Sequence, residues 1–182
     1  ASASFFEFQC DPARVRATFE THASSFGLAP RRVRLVLSPQ GFSAVQSEPL
    51  EAPSHDAQTI AVASDPVDSR DRFLCHKTTR RDVYDRHRAA HPDVFDVLLW
   101  NERGEVTEFT RGNVGVELDG ARYTPSRECG LLAGVFRAEL LDRGVIQERV
   151  VTVDDLSRCT RLWFVNSLRE WVDIKSMRTP GP

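Results

Sequence analysis

The chain has 182 residues, of which 41% are hydrophobic and 27% are charged, and its formal net charge is −2. This length and composition are typical of a globular protein of one domain, or of one domain plus part of another. The charge argues against nucleic acid or an anionic membrane surface as the main partner. We expect no membrane span, because no apolar run approaches about 18 residues. No signal-peptide pattern is present, and the four separated cysteines favour reduced thiols, so we expect a cytoplasmic protein.

The first fifty residues predict one helix and one hairpin. Asp11 can cap the helix, Pro12 suits its first turn, and Gly27 can end it. The alternating run RVRLVLS predicts a strand, and the turn SPQG leads from it into a second strand. Residues 48–58 contain prolines and show no periodicity, so they form the predicted linker.

Beyond the linker the sequence is rich in short strands. The predicted strands are TIAVAS, VFDVLLW, EVTEF, NVGVEL, RYT and, as the final buried strand, RLWFV. Asp119 and Gly120 form a hairpin signal, and the segment GLLAGVFRAELLDRG predicts a loop followed by a helix that ends at Gly144. The predicted fold class is therefore α+β.

Lys77 lies in FLCHKTTRRDVYD, between an apolar run and a charged segment. A lysine in such a place is usually a hydrated surface cation, and the alternative is a reactive amine held out of water. Thr79 and Asp82 are spaced as a capping box and predict a helix that starts just after this lysine.

Several sequence patterns argue against other chemistries. His87 and His91 have a spacing that can bind zinc on a helix, but no third ligand is evident, so no metal site is predicted. Gly130 and Gly134 do not form a P-loop, because no lysine followed by serine or threonine comes after them. The sequence also lacks a GxSxG nucleophile elbow.

Three further features can bind a charged ligand. Glu108 ends a predicted strand, and a loop of small residues leads from it to Asn113. The helix start in GLLAGVFR offers backbone N–H groups to a phosphate, and Ser167 follows a predicted strand with a hydroxyl that can assist them. Taken singly, each has a structural interpretation as a solvated carboxylate, a helix cap or a loop cap.

Taken together, these features resemble the fold-type IV pyridoxal-phosphate enzymes. That family contains the branched-chain and D-amino-acid aminotransferases and 4-amino-4-deoxychorismate lyase. The resemblance runs from about Thr59 to Ile174 and rests on HKTTR…YD, LLWNERGEVTEFTRGNVGVELDGARYTP, GLLAGVFRAELL and WFVNSLREW. HKTTR and NSLR are most similar to the lyase domain that follows aminodeoxychorismate synthase in some fused bacterial chains.

The resemblance implies a pyridoxal 5'-phosphate cofactor and a role for each candidate residue. Lys77 would bond to the cofactor aldehyde, which requires a neutral amine and hence a pKa lowered by burial. Glu108 would keep the pyridine nitrogen protonated. The other implied cofactor-binding residues are Val135 and Phe136 at the phosphate through their amides, Ser167 at the phosphate through its hydroxyl, and Asn113 in shaping the loop.

Two positions depart from the family pattern. Aminotransferases of the family often carry threonine where this chain has Phe136, so one phosphate hydroxyl is absent. The family's tyrosine close after the lysine is also out of register, and Tyr84, the nearest candidate, is predicted to lie outside the active site.

The implied fold is the two-domain fold of D-amino-acid aminotransferase. Residues 1–56 would be the end of the small α/β domain with its linker, and residues 57–182 the large mixed-sheet domain. The upstream strands and an arginine that they contribute to the phosphate site are not in the sequence, so the small domain is predicted to be incomplete, in a longer and possibly fused chain.

The implied function is conversion of 4-amino-4-deoxychorismate to 4-aminobenzoate and pyruvate for folate synthesis, by a homodimer. The alternatives are an aminotransferase for branched-chain or D-amino acids, and an inactive domain of a fused synthase.

Overall fold

The computed structural model describes residues 2–50 and 58–179, with the side chains of Phe42 and Ser43 left out. Within it the chain divides into two compact units, residues 1–54 and 55–182. The predicted linker extends into residues 51–57, which lie outside the described residues. Its first two residues belong to a strand of the first unit, and its last residue begins a strand of the second.

The first unit contains the predicted helix and hairpin, together with a short N-terminal helix that was not predicted. Its elements are α1 (Ser2–Phe5), α2 (Pro12–Ser24), β1 (Arg31–Ser38) and β2 (Gly41–Pro49), and the two strands pair antiparallel. The Asp11 carboxylate accepts hydrogen bonds from the Ala13 and Arg14 amides, which confirms its predicted capping role.

Helix α2 ends one residue earlier than predicted, because its cap is Ser25 and Phe26 occupies the position expected for Gly27. The Ser25 amide already donates to the His22 carbonyl at 3.2 Å, and the Phe26 amide donates to the Ala23 carbonyl at 3.1 Å. These shorter-range bonds tighten the last turn and end the helix before the glycine is reached.

The second unit is built on one mixed sheet of eight strands. Its elements are β3 (Gln58–Val62), α3 (Arg72–Cys75), α4 (Asp82–Ala89), β4 (Asp96–Trp100), β5 (Val106–Phe109), β6 (Asn113–Leu118), β7 (Ala121–Pro125), α5 (Val135–Asp142), β8 (Gln147–Arg149), β9 (Arg161–Asn166) and β10 (Glu170–Arg178). The strand order is β5-β4-β3-β10-β9-β6-β7-β8. Strand β3 is parallel to both of its neighbours, and β7 is parallel to β8. This arrangement confirms the predicted α+β class.

The prediction that RLWFV is the final strand is wrong. Strand β10 follows β9 and pairs with it and with β3, so it lies inside the sheet. Its charged residues Asp173 and Lys175 are exposed, and none of its residues is fully buried. The strand is therefore held by backbone pairing on both sides, and its sequence carries little of the apolar signal used for the prediction. The edge strand β8, which pairs with β7, was missed because its three residues are polar and carry no apolar signal.

The hairpin between β6 and β7 is as predicted. Asp119 and Gly120 have φ values of 53° and 78°, and Leu118 pairs with Ala121 across the turn. Two successive residues with positive φ match the type I′ turn, which fits the twist of the flanking strands.

The core positions α3 and α4 against the sheet. One buried cluster joins Leu74 of α3 and Tyr84 of α4 to Val97 and Leu99 of β4. A second buried cluster packs Phe109 of β5 with residues of neighbouring and distant strands of the sheet, and so holds β5 in place. The segment between α3 and α4, which carries Lys77, is therefore anchored at both ends.

The predicted capping box before α4 is wrong. The helix begins at Asp82 after Arg81, and no side chain caps it. The Thr78 hydroxyl instead accepts the Arg80 amide at 3.2 Å in a local turn. Thr79 precedes the cap position by two residues, so it cannot reach the helix amides as a capping residue does.

No helix within residues 2–50 and 58–179 is long and apolar enough to cross a membrane.

Candidate active site

Glu108 is the buried acid at the centre of the site. It lies in β5 with 4% of its surface exposed, so the solvated-carboxylate interpretation is wrong. Its Oε1 accepts the Tyr84 hydroxyl at 2.7 Å and the Leu132 amide at 3.2 Å. Burial raises the pKa of Glu108 to about 8, although these two hydrogen bonds and the positive charges of Lys77 and Arg81 oppose the rise.

Tyr84 reaches the site from α4. It is 7% exposed, and its hydroxyl also lies 3.4 Å from the Leu74 carbonyl. Sequence reasoning placed this tyrosine outside the active site, whereas the structure puts it in direct contact with Glu108. The signal that could have found it is helical spacing, because Tyr84 and His87 are the buried residues of α4 and lie three positions apart on one face.

Asn113 fixes the loop that follows Leu131. Its Nδ2 donates to the Leu132 carbonyl at 2.7 Å, and its Oδ1 accepts the Gly134 amide at 3.1 Å. Because the Leu132 amide donates to Glu108, the two buried side chains hold both sides of one peptide segment. This is the position that the sequence predicted for a loop-shaping residue, and its role toward a cofactor stays a prediction.

The start of α5 faces a cleft. Gly134 provides no side-chain cap, so the amides of Val135 and Phe136 lie at a helix end that favours negative charge. Ser167, exposed in the turn after β9, lines with these two residues a cleft of about 480 Å³. The structure thus brings together the three residues predicted to bind phosphate. Glu139 and Arg143 continue the wall along α5, and Trp171 of β10 also lines the cleft.

Lys77 lies in the irregular segment between α3 and α4, and it is exposed. The predicted burial of this lysine is therefore wrong, because the segment runs outside the apolar cluster that anchors its two ends. The charge of Lys77 nevertheless acts on Glu108 and lowers the pKa of that carboxyl. Among the described residues, the cleft is lined by neither Lys77 nor Glu108, and the loop held by Asn113 joins the two parts of the site.

His87 lies in α4, whereas His91 lies beyond the end of that helix. Across the described ranges, no group of three or more His, Cys, Asp or Glu side chains is placed to hold a metal ion. His87 is buried, and burial lowers its pKa, which disfavours its charged form.

The family of the chain follows from comparison with known proteins. The family model for amino-transferase class IV matches residues 1–177. The chain belongs to the class IV aminotransferase family. This family depends on pyridoxal phosphate. A proposed aminodeoxychorismate lyase of Schizosaccharomyces pombe is 33% identical to this class IV chain over 147 residues. The alignment covers 76% of this chain and only 64% of that relative.

Solved structures show the same fold. A proposed amino-acid aminotransferase from Mesorhizobium loti is 37% identical to this class IV chain, with a TM-score of 0.88 over 96% of this chain and 86% of that one. A hypothetical aminotransferase from Mycobacterium tuberculosis, solved with α-ketoglutarate and PMP, is 20% identical, with a TM-score of 0.77 over 100% of this chain and 75% of that one. At that identity the likeness shows the fold alone. The predicted fold-type IV architecture is confirmed.

Proposed function

We propose that this chain is the cofactor-binding part of a pyridoxal-phosphate-dependent 4-amino-4-deoxychorismate lyase, which forms 4-aminobenzoate and pyruvate. The buried acid Glu108 supports the cofactor, because its ionised form, so far from water, is stabilised by a positively charged partner such as a protonated ring nitrogen. The lyase relative, together with the HKTTR and NSLR segments, supports the reaction.

The residues present fit the cofactor. Pyridoxal phosphate offers an aldehyde, a basic ring nitrogen and a phosphate, and the chain offers an amine at Lys77, a buried carboxylate at Glu108 and the unblocked start of α5. The hydrogen bonds donated to Glu108 by described residues end on Oε1, so Oε2 remains for the ring nitrogen. The Ser167 hydroxyl lines the same cleft as the start of α5 and can complete the phosphate site.

The cofactor, when bound, draws electrons from the substrate carbon into its ring. Lys77 would hold the cofactor through its amine, and the same amine, when neutral and not bonded to the cofactor, would take the proton from the substrate carbon that bears the amino group. Glu108 keeps the proton on the ring nitrogen. Loss of the enolpyruvyl group makes the substrate's own ring aromatic, so the reaction is strongly downhill. The protein therefore needs mainly to position the substrate and to deprotonate its amine-bearing carbon.

The exposure of Lys77 bears on this role. A hydrated ammonium is a poor nucleophile, and an amine that attacks must be neutral. In the proposal, a bound ligand covers Lys77 and removes the water that an exposed lysine retains. A homodimer, and a longer chain that supplies the rest of the small domain, belong to the same proposal.

The second candidate is an amino-acid aminotransferase, favoured by the 37% identity to the Mesorhizobium loti structure. It would use the same lysine and carboxylate. The two functions differ in their need for a second substrate: the lyase releases pyruvate from aminodeoxychorismate alone, whereas the aminotransferase requires a keto-acid acceptor.

The first test identifies the reactive amine. The sequence contains only two lysines, Lys77 and Lys175, and Lys175 is exposed on β10. After incubation with pyridoxal phosphate and reduction with borohydride, we expect the label on the Lys77 peptide and little on the Lys175 peptide. Lys77→Arg should abolish this label and Lys175→Arg should preserve it. Equal labelling of the two lysines would contradict a cofactor site at Lys77.

The second test measures pyruvate released from aminodeoxychorismate without any keto acid. We expect release by the wild-type protein and none by Lys77→Arg. Because the chain aligns with 64% of the lyase relative, the assay is repeated on a longer chain that includes the upstream residues. No pyruvate from either protein, together with transfer of an amino group from an amino acid to an added keto acid, would favour the aminotransferase.

A further inference from the structure

Two donors approach the same oxygen of Glu108. The Tyr84 hydroxyl lies 2.7 Å from Oε1, and the Leu132 amide lies 3.2 Å from it. A carboxylate whose first oxygen is held from two directions has a fixed plane, and its second oxygen then points in one direction only. The orientation of Oε2 is therefore set by Tyr84 and Leu132.

The Tyr84 hydroxyl has a single proton and two acceptors within reach. The Leu74 carbonyl is 3.4 Å away and Oε1 only 2.7 Å, so the proton is donated to the carboxylate. Leu74 lies in α3, three residues ahead of Lys77. One buried hydroxyl thus lies between the segment that leads to the lysine and the acid on β5.

The Tyr84 ring cannot easily move away from this position. It belongs to the buried cluster under α3 and α4, and the Arg81 guanidinium lies 4.7 Å from the ring centroid. The Arg81 side chain in turn donates to the Thr110 carbonyl at 2.7 Å, just beyond β5. Packing on both faces therefore holds the hydroxyl against Glu108.

We propose that Tyr84 is a positioning residue of the site: its hydroxyl holds Oε1 of Glu108, favours the ionised carboxylate and directs Oε2 toward the ring nitrogen of the cofactor. This inference rests on the proposed role of Glu108 toward pyridoxal phosphate. It gives a role to Tyr84, which is out of register with the family's tyrosine.

The electrostatic surroundings explain why such a donor is needed. Burial raises the pKa of Glu108, and the hydrogen bond from Tyr84 is the strongest of the effects that lower it. The other groups that face the carboxyl are Lys77 and Arg81, which lower its pKa, and Cys75, whose own thiol pKa is raised by burial and by the Glu108 charge. Without the Tyr84 hydroxyl, the protonated form of Glu108 would become more favoured. Glu108 would then retain the proton that the ring nitrogen of the cofactor requires.

The direct test is the titration of Glu108 in the cofactor-free protein, followed by carbon NMR with glutamate labelled at its carboxyl carbon. Glu108→Gln identifies the resonance. Tyr84→Phe keeps the ring and removes one donor to a charged group, so we expect the titration midpoint to rise by about one pH unit or more. Tyr123→Phe, at the only other tyrosine, is the matched control and should leave the midpoint unchanged. An unchanged midpoint in folded Tyr84→Phe would overturn the proposal.

A second variant separates hydrogen bonding from packing. In a Tyr123→Phe background Tyr84 is the sole tyrosine. Growth on fluorotyrosine therefore replaces the Tyr84 hydroxyl alone with a hydroxyl of greater acidity. A more acidic donor gives a stronger hydrogen bond, and the Glu108 midpoint should fall below that of the unfluorinated protein. This experiment also decides the question if Tyr84→Phe does not fold. A midpoint that stays in place or rises would show that the hydroxyl does not act on the carboxyl.

The cofactor side is tested by a double-mutant cycle on pyridoxal phosphate binding. We expect Tyr84→Phe to weaken binding roughly tenfold in the wild-type background and to have almost no further effect in Glu108→Gln. Independent effects of the two substitutions would contradict the proposed positioning role. These readouts need no substrate, so a failure of the pyruvate assay leaves them intact and is a failure of the lyase proposal alone.

Discussion

The Asn113 side chain occupies the space where residue 134 would carry a Cβ atom. Its Oδ1 accepts the Gly134 amide at 3.1 Å, and a Cβ built on Gly134 would lie 2.4 Å from that oxygen. The φ of Gly134 is −68°, which any residue can adopt, so the requirement for glycine at this position is purely steric. The start of α5 and the loop before it are thus held at a distance that only glycine permits.

The first prediction concerns this contact. We expect Gly134→Ala to push Asn113 away and to weaken pyridoxal phosphate binding by roughly tenfold, because overpacking of this kind costs about 1–3 kcal/mol. In an Asn113→Ala background the same glycine substitution should cost much less, since the clashing oxygen is gone. Binding measured by fluorescence titration of the four proteins decides it. Equal losses in both backgrounds would mean that the steric contact does not shape the site.

The second prediction compares two glycines with similar backbone conformations. Gly130 and Gly120 have φ values of 85° and 78°, but a Cβ at Gly130 would lie 2.5 Å from the Ser69 Cα, whereas nothing lies within 4 Å of one at Gly120. We expect Gly120→Ala to lower the free energy of unfolding by about 1–2 kcal/mol, the cost of the left-handed conformation. Gly130→Ala should lower the free energy of unfolding by clearly more, because the backbone at Ser69 must also move. Urea unfolding of both variants measures the difference, and equal losses would show that the Ser69 contact relaxes freely.

The third prediction concerns pH. The pKa of Glu108 is about 8 in the folded protein, above its ordinary value of 4.5, so between these values the folded state binds more protons than the unfolded state. The stability that protonated Glu108 contributes to the folded state is fully present below pH 4.5 and is lost as the pH rises through 8. We expect Glu108→Gln to remove that loss and, relative to the wild type, to gain stability of about a few kcal/mol between pH 5 and pH 9.

This difference is measured by urea unfolding of the two cofactor-free proteins across the pH range. The comparison reports Glu108 together with its effect on the neighbouring Cys75 thiol, whose pKa the Glu108 charge raises. A wild-type advantage that grows with pH would have the wrong sign and would rule out a raised pKa for this acid.

The fourth prediction concerns the buried arginine of α5. Arg137 is 2% exposed, donates to the Pro125 carbonyl at 2.8 Å and pairs with Glu148. We expect Arg137→Gln to lower the free energy of unfolding by about 3 kcal/mol, the low end for breaking a buried pair, because Glu148 is half-exposed. Arg143→Gln breaks the exposed pair between Glu139 of α5 and the cap residue of that helix, and it should change stability by less than about 1 kcal/mol. Similar small effects at both positions would show that Arg137 is not a structural anchor of α5.

Features controlled by neighbouring residues in the sequence were predicted well. The Asp11 cap, the Asp119–Gly120 turn and the end of α5 before Gly144, whose φ is 66°, all agree with the structure. Each depends on the conformational preference of one or two residues and on a hydrogen bond to the adjacent backbone. The short strands with strong apolar patterns were found for a similar reason, since one buried face imposes a visible period on the sequence.

The sequence by itself therefore determined the Asp11 cap, the Asp119–Gly120 turn, the apolar strands and, through its motifs, the family, but not the start of α4. Only the tertiary structure decided that β10 lies inside the sheet, that Lys77 is exposed and that Tyr84 touches Glu108. Tyr84 and Leu132 each lie 24 residues from Glu108, on either side of it in the chain. No local pattern encodes such contacts or the burial that shifts a carboxyl pKa, because both arise when distant segments pack together and exclude water.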